Sequence, residues 1–105
     1  MRWYNHLYVG KEASKYRYTI INAIRKKKPR FGTYVITTPT EKNGIMDVIH
    51  NAVLLQEFYQ TSDVMIIGIA QGRSEAYEVV RDIVDDMYKK NGDFDINAFC
   101  NANGS

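Results

Sequence analysis

The feature that most constrains the fold of this sequence is an uninterrupted apolar run at residues 64–70. Both faces of any strand formed by these residues would be apolar, which is typical of a central strand in a sheet that helices cover on both sides. The run has seven residues, whereas a helix that crosses a membrane needs about 20. It therefore predicts a buried strand in an α/β protein rather than a membrane span.

Hydrophobic periodicity divides the rest of the chain into two strands and four helices. In residues 3–9 the side chains Trp3, Leu7 and Val9 fall on one face and Tyr4, His6 and Tyr8 on the other, which predicts a half-buried strand. Residues 33–38 are rich in β-branched and aromatic side chains, which also predicts a strand. Apolar residues recur every three or four positions in residues 11–28, 45–59 and 74–91, which predicts helices. Ser74 is the expected N-cap of the third helix. A short C-terminal helix is expected at residues 95–102.

The alternation of strands and helices predicts an α/β fold. We expect a single domain at residues 1–105, built as a small three-layer sandwich with a three-stranded, mainly parallel sheet (βαβαβα) and a short C-terminal helix. Connections of about 25 residues that contain a helix normally join parallel strands. The burial of residues 64–70 favours this strand as the central one, although another common order of such sheets puts the first strand there.

Two further properties bear on association and compartment. A three-stranded sheet has two unpaired edges, and a 105-residue chain has a limited core, so we expect a homodimer. The single cysteine, Cys100, cannot form an internal disulfide, and the first residues do not resemble a signal peptide. We therefore expect a cytoplasmic protein that does not bind a membrane.

Charge is distributed unevenly along the chain. Residues 1–42 contain ten Lys or Arg and two acids, a net charge of +8, whereas residues 43–105 contain four Lys or Arg and ten acids, a net charge of −6. Such a division can give a basic face that binds anions or nucleic acid. It can also give two halves of one domain that attract each other, and the sequence favours this second interpretation.

One candidate binding site lies in the loops that follow the three predicted strands. In a parallel sheet these loops meet at one edge, where helix N-termini present unpaired backbone N–H groups to anions. Capping of the helices alone explains glycines and hydroxyls in such turns and is the favoured explanation. The candidate ligands for a small phosphate- or carboxylate-bearing molecule are Lys11, Thr38, Gly72, Arg73 and Ser74.

Specific catalytic and cofactor motifs are absent from the sequence. Residues 68–74 have three residues between their glycines where the P-loop has four, and Arg73 occupies the position of the required lysine. His6 and His50 have no cysteine or second histidine at metal-ligand spacing, and Cys100 has no neighbouring cation to lower its pKa. We therefore expect no metal, no cofactor and no catalytic residues.

A second candidate site is the basic first helix with the residues after it. Tyr16 and Tyr18 alternate with cations there, a pattern that favours contacts with nucleic acid. Three observations weigh against this site: Tyr16 belongs to the apolar stripe, the net charge is only +2, and five acids lie on the third helix. The candidate phosphate-binding residues are Arg25, Lys26, Lys27, Lys28 and Arg30.

The sequence as a whole favours a non-catalytic module that acts through self-association or by binding a protein partner. The first alternative is a regulatory domain that binds a small anion at the edge of the sheet. The second is weak binding of nucleic acid through the basic first helix.

Overall fold

The computed structural model of the chain describes residues 2–104, and their side chains up to residue 101. Met1 and Ser105, the ends of the predicted domain, lie outside this description. Within the described residues the elements are, in chain order, β1 (Arg2–Val9), a 3-10 turn (Ala13–Tyr16), α1 (Arg17–Arg25), β2 (Thr33–Thr37), β3 (Asp47–His50), α2 (Asn51–Leu54), α3 (Glu57–Thr61), β4 (Met65–Gln71), α4 (Arg73–Asn91) and α5 (Ile96–Gly104).

The strands form one mixed sheet in the order β1-β4-β2-β3. β4, which contains the apolar run, lies between β1 and β2, so its predicted central position is confirmed. β1 is parallel to β4, but β2 is antiparallel to both β4 and β3. The mixed α/β fold is thus confirmed, whereas the three-stranded, mainly parallel sheet is wrong in its strand number and in the direction of β2.

The direction of β2 follows from the path of the chain after β1. α1 has nine residues, about half the predicted helix, and the loop after it returns to the edge of the sheet at which β1 ends. At this edge the Gly72 amide donates a hydrogen bond to the Gly32 carbonyl at 2.7 Å, and Thr33 lies opposite Gln71. Because the chain enters β2 at the edge where it left β1, β2 runs against β1 and β4.

The predicted second helix is replaced by three short elements. Residues 47–50 form β3, which pairs with β2 so that Ile49 lies opposite Val35. Met46 and Val48 pack on one face of the sheet, whereas Ile49 packs on the other. This alternation has the period of a strand, but the apolar residues around it have the spacing of a helix. The chain becomes helical only after His50, in α2 and α3.

Helices cover both faces of the sheet. On one face, Ile20 and Ile24 of α1 and Leu54 of α2 pack with Ile66 and Ile69 of β4. On the other face, apolar residues of α4 and α5 pack with β1, β2 and β4. The two core clusters are separated by the sheet itself, and among the described residues no helix is both long and apolar enough to span a bilayer.

α4 lies close to the centre of the sheet because Gly68 has no side chain. A Cβ atom at Gly68 would lie 3.0 Å from Cγ1 of Val79, so any larger residue would push α4 outward. The start of α4 differs from prediction, because Gly72 is its N-cap and Ser74 lies exposed in its first turn.

Candidate functional site

Four of the five predicted anion ligands meet at one edge of the sheet. β1 and β4 are parallel, so Lys11, which follows β1, lies at the same edge as Gly72, Arg73 and Ser74, which follow β4. Thr38 lies at the opposite edge, where its amide donates to the Met65 carbonyl and its Oγ1 accepts from the Met65 amide, both at 2.9 Å. Seven residues of β4, roughly 20 Å, separate it from the others. Thr38 therefore lies apart from the other candidate ligands, because β2 is antiparallel to β4.

The backbone donors at this edge are already occupied by a carboxylate of the chain itself. Oε2 of Glu75 accepts from the amides of Gln71 at 2.6 Å and Ala13 at 3.2 Å, and its Oε1 accepts from the amide of Glu12. Glu75 is 8% exposed. Gly10 makes room for it, since a Cβ there would lie 2.3 Å from Cδ of Glu75. The carboxylate therefore takes the position that the sequence assigns to an external anion.

Glu75 is a residue whose role sequence reasoning missed. Its spacing places it with the acids on the exposed side of α4, and only the structure shows it turned inward. A local signal exists, because Glu75 is the third residue after the N-cap, where an acid commonly bonds backbone amides. That signal indicates capping within α4, but not the bonds across to Glu12 and Ala13.

The remaining side chains at this edge do not form a small anion site. The Arg73 guanidinium lies over the Tyr34 ring, 6.0 Å from its centroid. Lys11 is exposed and shares a groove of about 150 Å³ with Glu78, Asp82 and Arg81, and Arg81 lies 3.9 Å from Asp82. These two carboxylates lower the attraction of Lys11 for an anion.

The second predicted site is the surface formed by residues 15–31, which we call the basic face. It comprises the end of the 3-10 turn, α1 and the loop to β2, and it contains seven Lys or Arg and no acid. Ile20 and Ile24 point into the core, so Tyr18, Asn22 and Arg25 form an exposed stripe on the outer side of α1. The three lysines at residues 26–28 continue it beyond the helix and are all exposed.

Both ends of the basic face are anchored to the end of β4 and the start of α4. Before the face, Glu75 binds the amides of Glu12 and Ala13. After it, Gly72 bonds Gly32 as described above, and the side chain of Gln71 accepts from Thr33 Oγ1 at 3.0 Å. Residues 71–75 thus hold the two points where the chain leaves and rejoins the sheet.

The side chain of Asn51 holds the loop that joins α1 to β2 through two hydrogen bonds to its backbone. Its Oδ1 accepts from the Arg30 amide at 3.0 Å, and its Nδ2 donates to the Lys28 carbonyl at 3.4 Å. Asn51 is 1% exposed. The sequence gives no sign of this role, because Asn51 lies within the predicted second helix.

Two cations of the basic face lie against aromatic rings. Arg30 lies over Tyr16 at 5.2 Å from its centroid, and Arg25 lies over Trp3 at 5.7 Å. Tyr16 is 47% exposed, so its predicted place in the buried stripe is wrong. The reason is local: Tyr16 ends the 3-10 turn, and the α-helical spacing that would turn it inward starts only at Arg17.

The sheet separates the basic face from the acids of α4. α1 packs on one face of the sheet and α4 on the other, and four acids of α4, Glu78, Asp82, Asp85 and Asp86, are exposed there. Between residues 2 and 104, one ion pair joins the two oppositely charged halves of the sequence, Arg2 with Asp63 at 3.1 Å. The cations of residues 15–31 and the exposed acids of α4 therefore lie on opposite sides of the sheet, whereas Lys11 lies beside Glu78 and Asp82.

Two titratable side chains elsewhere in the fold, Cys100 and Tyr8, have raised pKa values. Burial raises the pKa of the Cys100 thiol to about 11, with Arg2 a smaller opposing influence. Burial, and then the 2.5 Å hydrogen bond from its hydroxyl to Asp86 Oδ2, raise the pKa of Tyr8. Among the residues that the structure describes, no three His, Cys, Asp or Glu lie close enough to hold a metal ion.

The chain matches no protein-family model, and no curated protein or solved structure is significantly similar to it. Two physical features bear on its function. One is an edge whose backbone donors are already bonded, and the other is a basic face that contains no acid itself but whose Lys15 is paired with the neighbouring exposed Glu12 at 3.1 Å.

Proposed function

We propose that this chain is a nucleic-acid-binding module whose basic face contacts the phosphate backbone. The observation that carries the proposal is the placement of seven cations and no acid on residues 15–31, with the exposed acids of α4 on the opposite side of the sheet. Such a surface attracts a polyanion by releasing its condensed counterions. We further propose the cytoplasm as its compartment, which suits a chain with one buried cysteine.

An extended polyanion fits this protein better than a small anion does. A small anion needs converging donors, and at the edge of the sheet those donors are bonded to Glu75. The basic face instead presents its charges along an exposed helix and loop. Side chains arranged in this way reach successive phosphates of a chain rather than one phosphate.

Fluorescence anisotropy with short RNA and DNA oligonucleotides tests the proposal. With about four phosphates contacted, raising the salt from about 50 to 200 mM should weaken binding roughly 50- to 150-fold. Substitution of Lys26, Lys27 and Lys28 together by alanine should weaken binding at low salt by about tenfold or more and lower the salt dependence. The matched control is K89A/K90A, which removes two exposed lysines of α4.

Two results with the unmutated chain would overturn the proposal. One is the absence of binding below about 100 µM at about 50 mM salt, where the electrostatic attraction is strong. The other is binding to vesicles of anionic lipid without binding to any oligonucleotide. Equal losses in the two lysine variants would also contradict it, since the position of the charge would then be irrelevant.

Self-association is a second candidate function, favoured by the outer long side of β1, the strand at one side of the sheet. β1 is the outermost strand of the sheet and pairs with β4 at residues 2–3 and 8–9, with a shift of register between them. The other side of its regular ends is the surface to which a second copy of the chain would pair. Light scattering after size-exclusion chromatography should then give about twice the chain mass of 12.1 kDa. His6→Lys, which brings like charges together in a two-fold pair of β1 strands, should restore the monomer. A mass of one chain at high micromolar concentration would reject the dimer.

A further inference from the structure

The basic face carries the two most exposed large apolar side chains that the structure describes. Phe31 is 96% exposed and Tyr18 is 82% exposed, whereas the other exposed aromatic residues lie at 46–60%. A ring that touches almost nothing adds no packing energy to the fold. Both rings instead lie in the segment that is richest in cations. Tyr18 lies between Lys15 and Arg30 in the sequence, and Phe31 directly follows Arg30.

The backbone under both rings is fixed. Tyr18 lies in the first turn of α1, whose inner side is held by the buried Ile20 and Ile24. Phe31 follows the Arg30 amide that Asn51 binds, and its own carbonyl accepts from Gln71 Nε2 at 3.4 Å. The rings are therefore presented to solvent from ordered segments, which lowers the entropy lost when a ligand binds them.

We infer that the basic face selects single-stranded over double-stranded nucleic acid, with bases stacked on Tyr18 and Phe31. This inference rests on the proposed function. Bases in a duplex are stacked on one another and cannot reach a ring on a protein surface, whereas the bases of a single strand can turn outward and stack on it. Alternating aromatic rings and cations are the usual surface for this kind of binding, because cations bind the backbone while rings bind the bases.

The charges next to the rings fit this assignment. Lys26, Lys27 and Lys28 are exposed between α1 and Phe31, where they can bind the phosphates that join stacked bases. Tyr16 is covered on one side by Arg30, so it supports the guanidinium rather than offering a free ring face. Tyr18 and Phe31 are the rings that remain open to a base.

The test compares one mixed-sequence single strand with its duplex at fixed salt. Each of Tyr18→Ala and Phe31→Ala should weaken single-strand binding about 5- to 150-fold and leave duplex binding unchanged. Phe58→Ala and Tyr77→Ala are matched controls, since these residues are 59% and 60% exposed on α3 and α4, and they should change neither affinity. All four side chains are exposed, so circular dichroism should show intact folds.

A fluorescence measurement gives a direct reading of stacking. Phe31→Trp should retain single-strand affinity, and its added emission should be quenched by a single strand but not by the duplex. The parent chain, whose only tryptophan is Trp3, supplies the background signal.

The outcomes distinguish the inference from the proposed function. If K26A/K27A/K28A weakens binding to both nucleic acids while the aromatic variants change nothing, the proposed function stands and the inference fails. If the wild-type chain binds neither nucleic acid, both fail. Equal affinity for single strand and duplex, with no quenching of the introduced tryptophan, would also overturn the inference.

Discussion

Replacement of Glu75 by alanine should destabilise the fold more than any other loss of a single charge on α4. The carboxylate accepts hydrogen bonds from three backbone amides, those of Glu12, Ala13 and Gln71. Hydrogen bonds to a charged group contribute about 1.5–3 kcal/mol each. Because the edge of the sheet admits water to some of the vacated amides, we expect a total loss of about 2–4 kcal/mol rather than the full sum.

That loss is large against the stability of a domain of this size, about 5–15 kcal/mol. Urea denaturation, followed by circular dichroism, should show a fall in the midpoint of roughly 1–3 M for an m-value near 1.5 kcal/mol per M. Glu75→Gln keeps one acceptor oxygen and should lose about half as much. Glu78→Ala, which removes an exposed acid from the same helix, should stay within about 0.5 kcal/mol of the parent.

The effect of formate on the melting temperature provides a second test of the hydrogen bonds made by Glu75. In Glu75→Ala the three amides and the space beside Gly10 become open to a small carboxylate, so formate should raise the melting temperature of this variant and not that of Glu78→Ala. A Glu75→Ala protein as stable as Glu78→Ala, without a response to formate, would refute the assignment of Glu75 as the internal anion of this edge.

Three other predictions follow from buried contacts. Gly68→Ala should cost about 1–3 kcal/mol in a urea titration, because the new Cβ lies 3.0 Å from Cγ1 of Val79. Asn51→Ala leaves the Arg30 amide without its acceptor and should cost about 1–3 kcal/mol, and hydrogen exchange at Arg30 should rise relative to the parent. Cys100, with a pKa of about 11, stays a neutral thiol at pH 8, so it should react with iodoacetamide much more slowly than in the urea-unfolded chain; equal rates would contradict its burial.

The parts of the fold that the sequence predicts well are those whose pattern of apolar residues fits one type of element only. Residues 64–70 are apolar at every position, and a strand with two apolar faces has few places other than the centre of a covered sheet. α4 separates its apolar and charged residues cleanly, and it is found close to the predicted bounds. Residues 45–59 are apolar at the spacings of both a strand and a helix, so the local pattern does not distinguish β3 from the start of a helix.

The direction of β2 could not be predicted from local pattern, and the separation of Thr38 from the other candidate ligands follows from it. A connection that contains a helix is expected to cross the sheet, but the loop at residues 26–32 returns to its starting edge and is held there by Gly72 and Asn51. These contacts join residues that lie 20 or more positions apart in the sequence. Lys11 and Arg73 lie at the same edge because their positions depend on the parallel strands β1 and β4, whereas the position of Thr38 depends on the antiparallel β2.

The two candidate sites of the sequence are connected by the residues that anchor them. Residues 71–75 hold the amides just before the basic face through Glu75, and they hold the loop just after it through Gln71 and Gly72. The edge of the sheet that the sequence predicts as an anion site thus holds both ends of the basic face in place. A carboxylate at this edge satisfies the backbone amides without a ligand, so these amides are not available to a partner, whereas the exposed cations of residues 15–31 are. Loss of Glu75 should therefore loosen Tyr16, three residues beyond Ala13, and the start of α1 at Arg17.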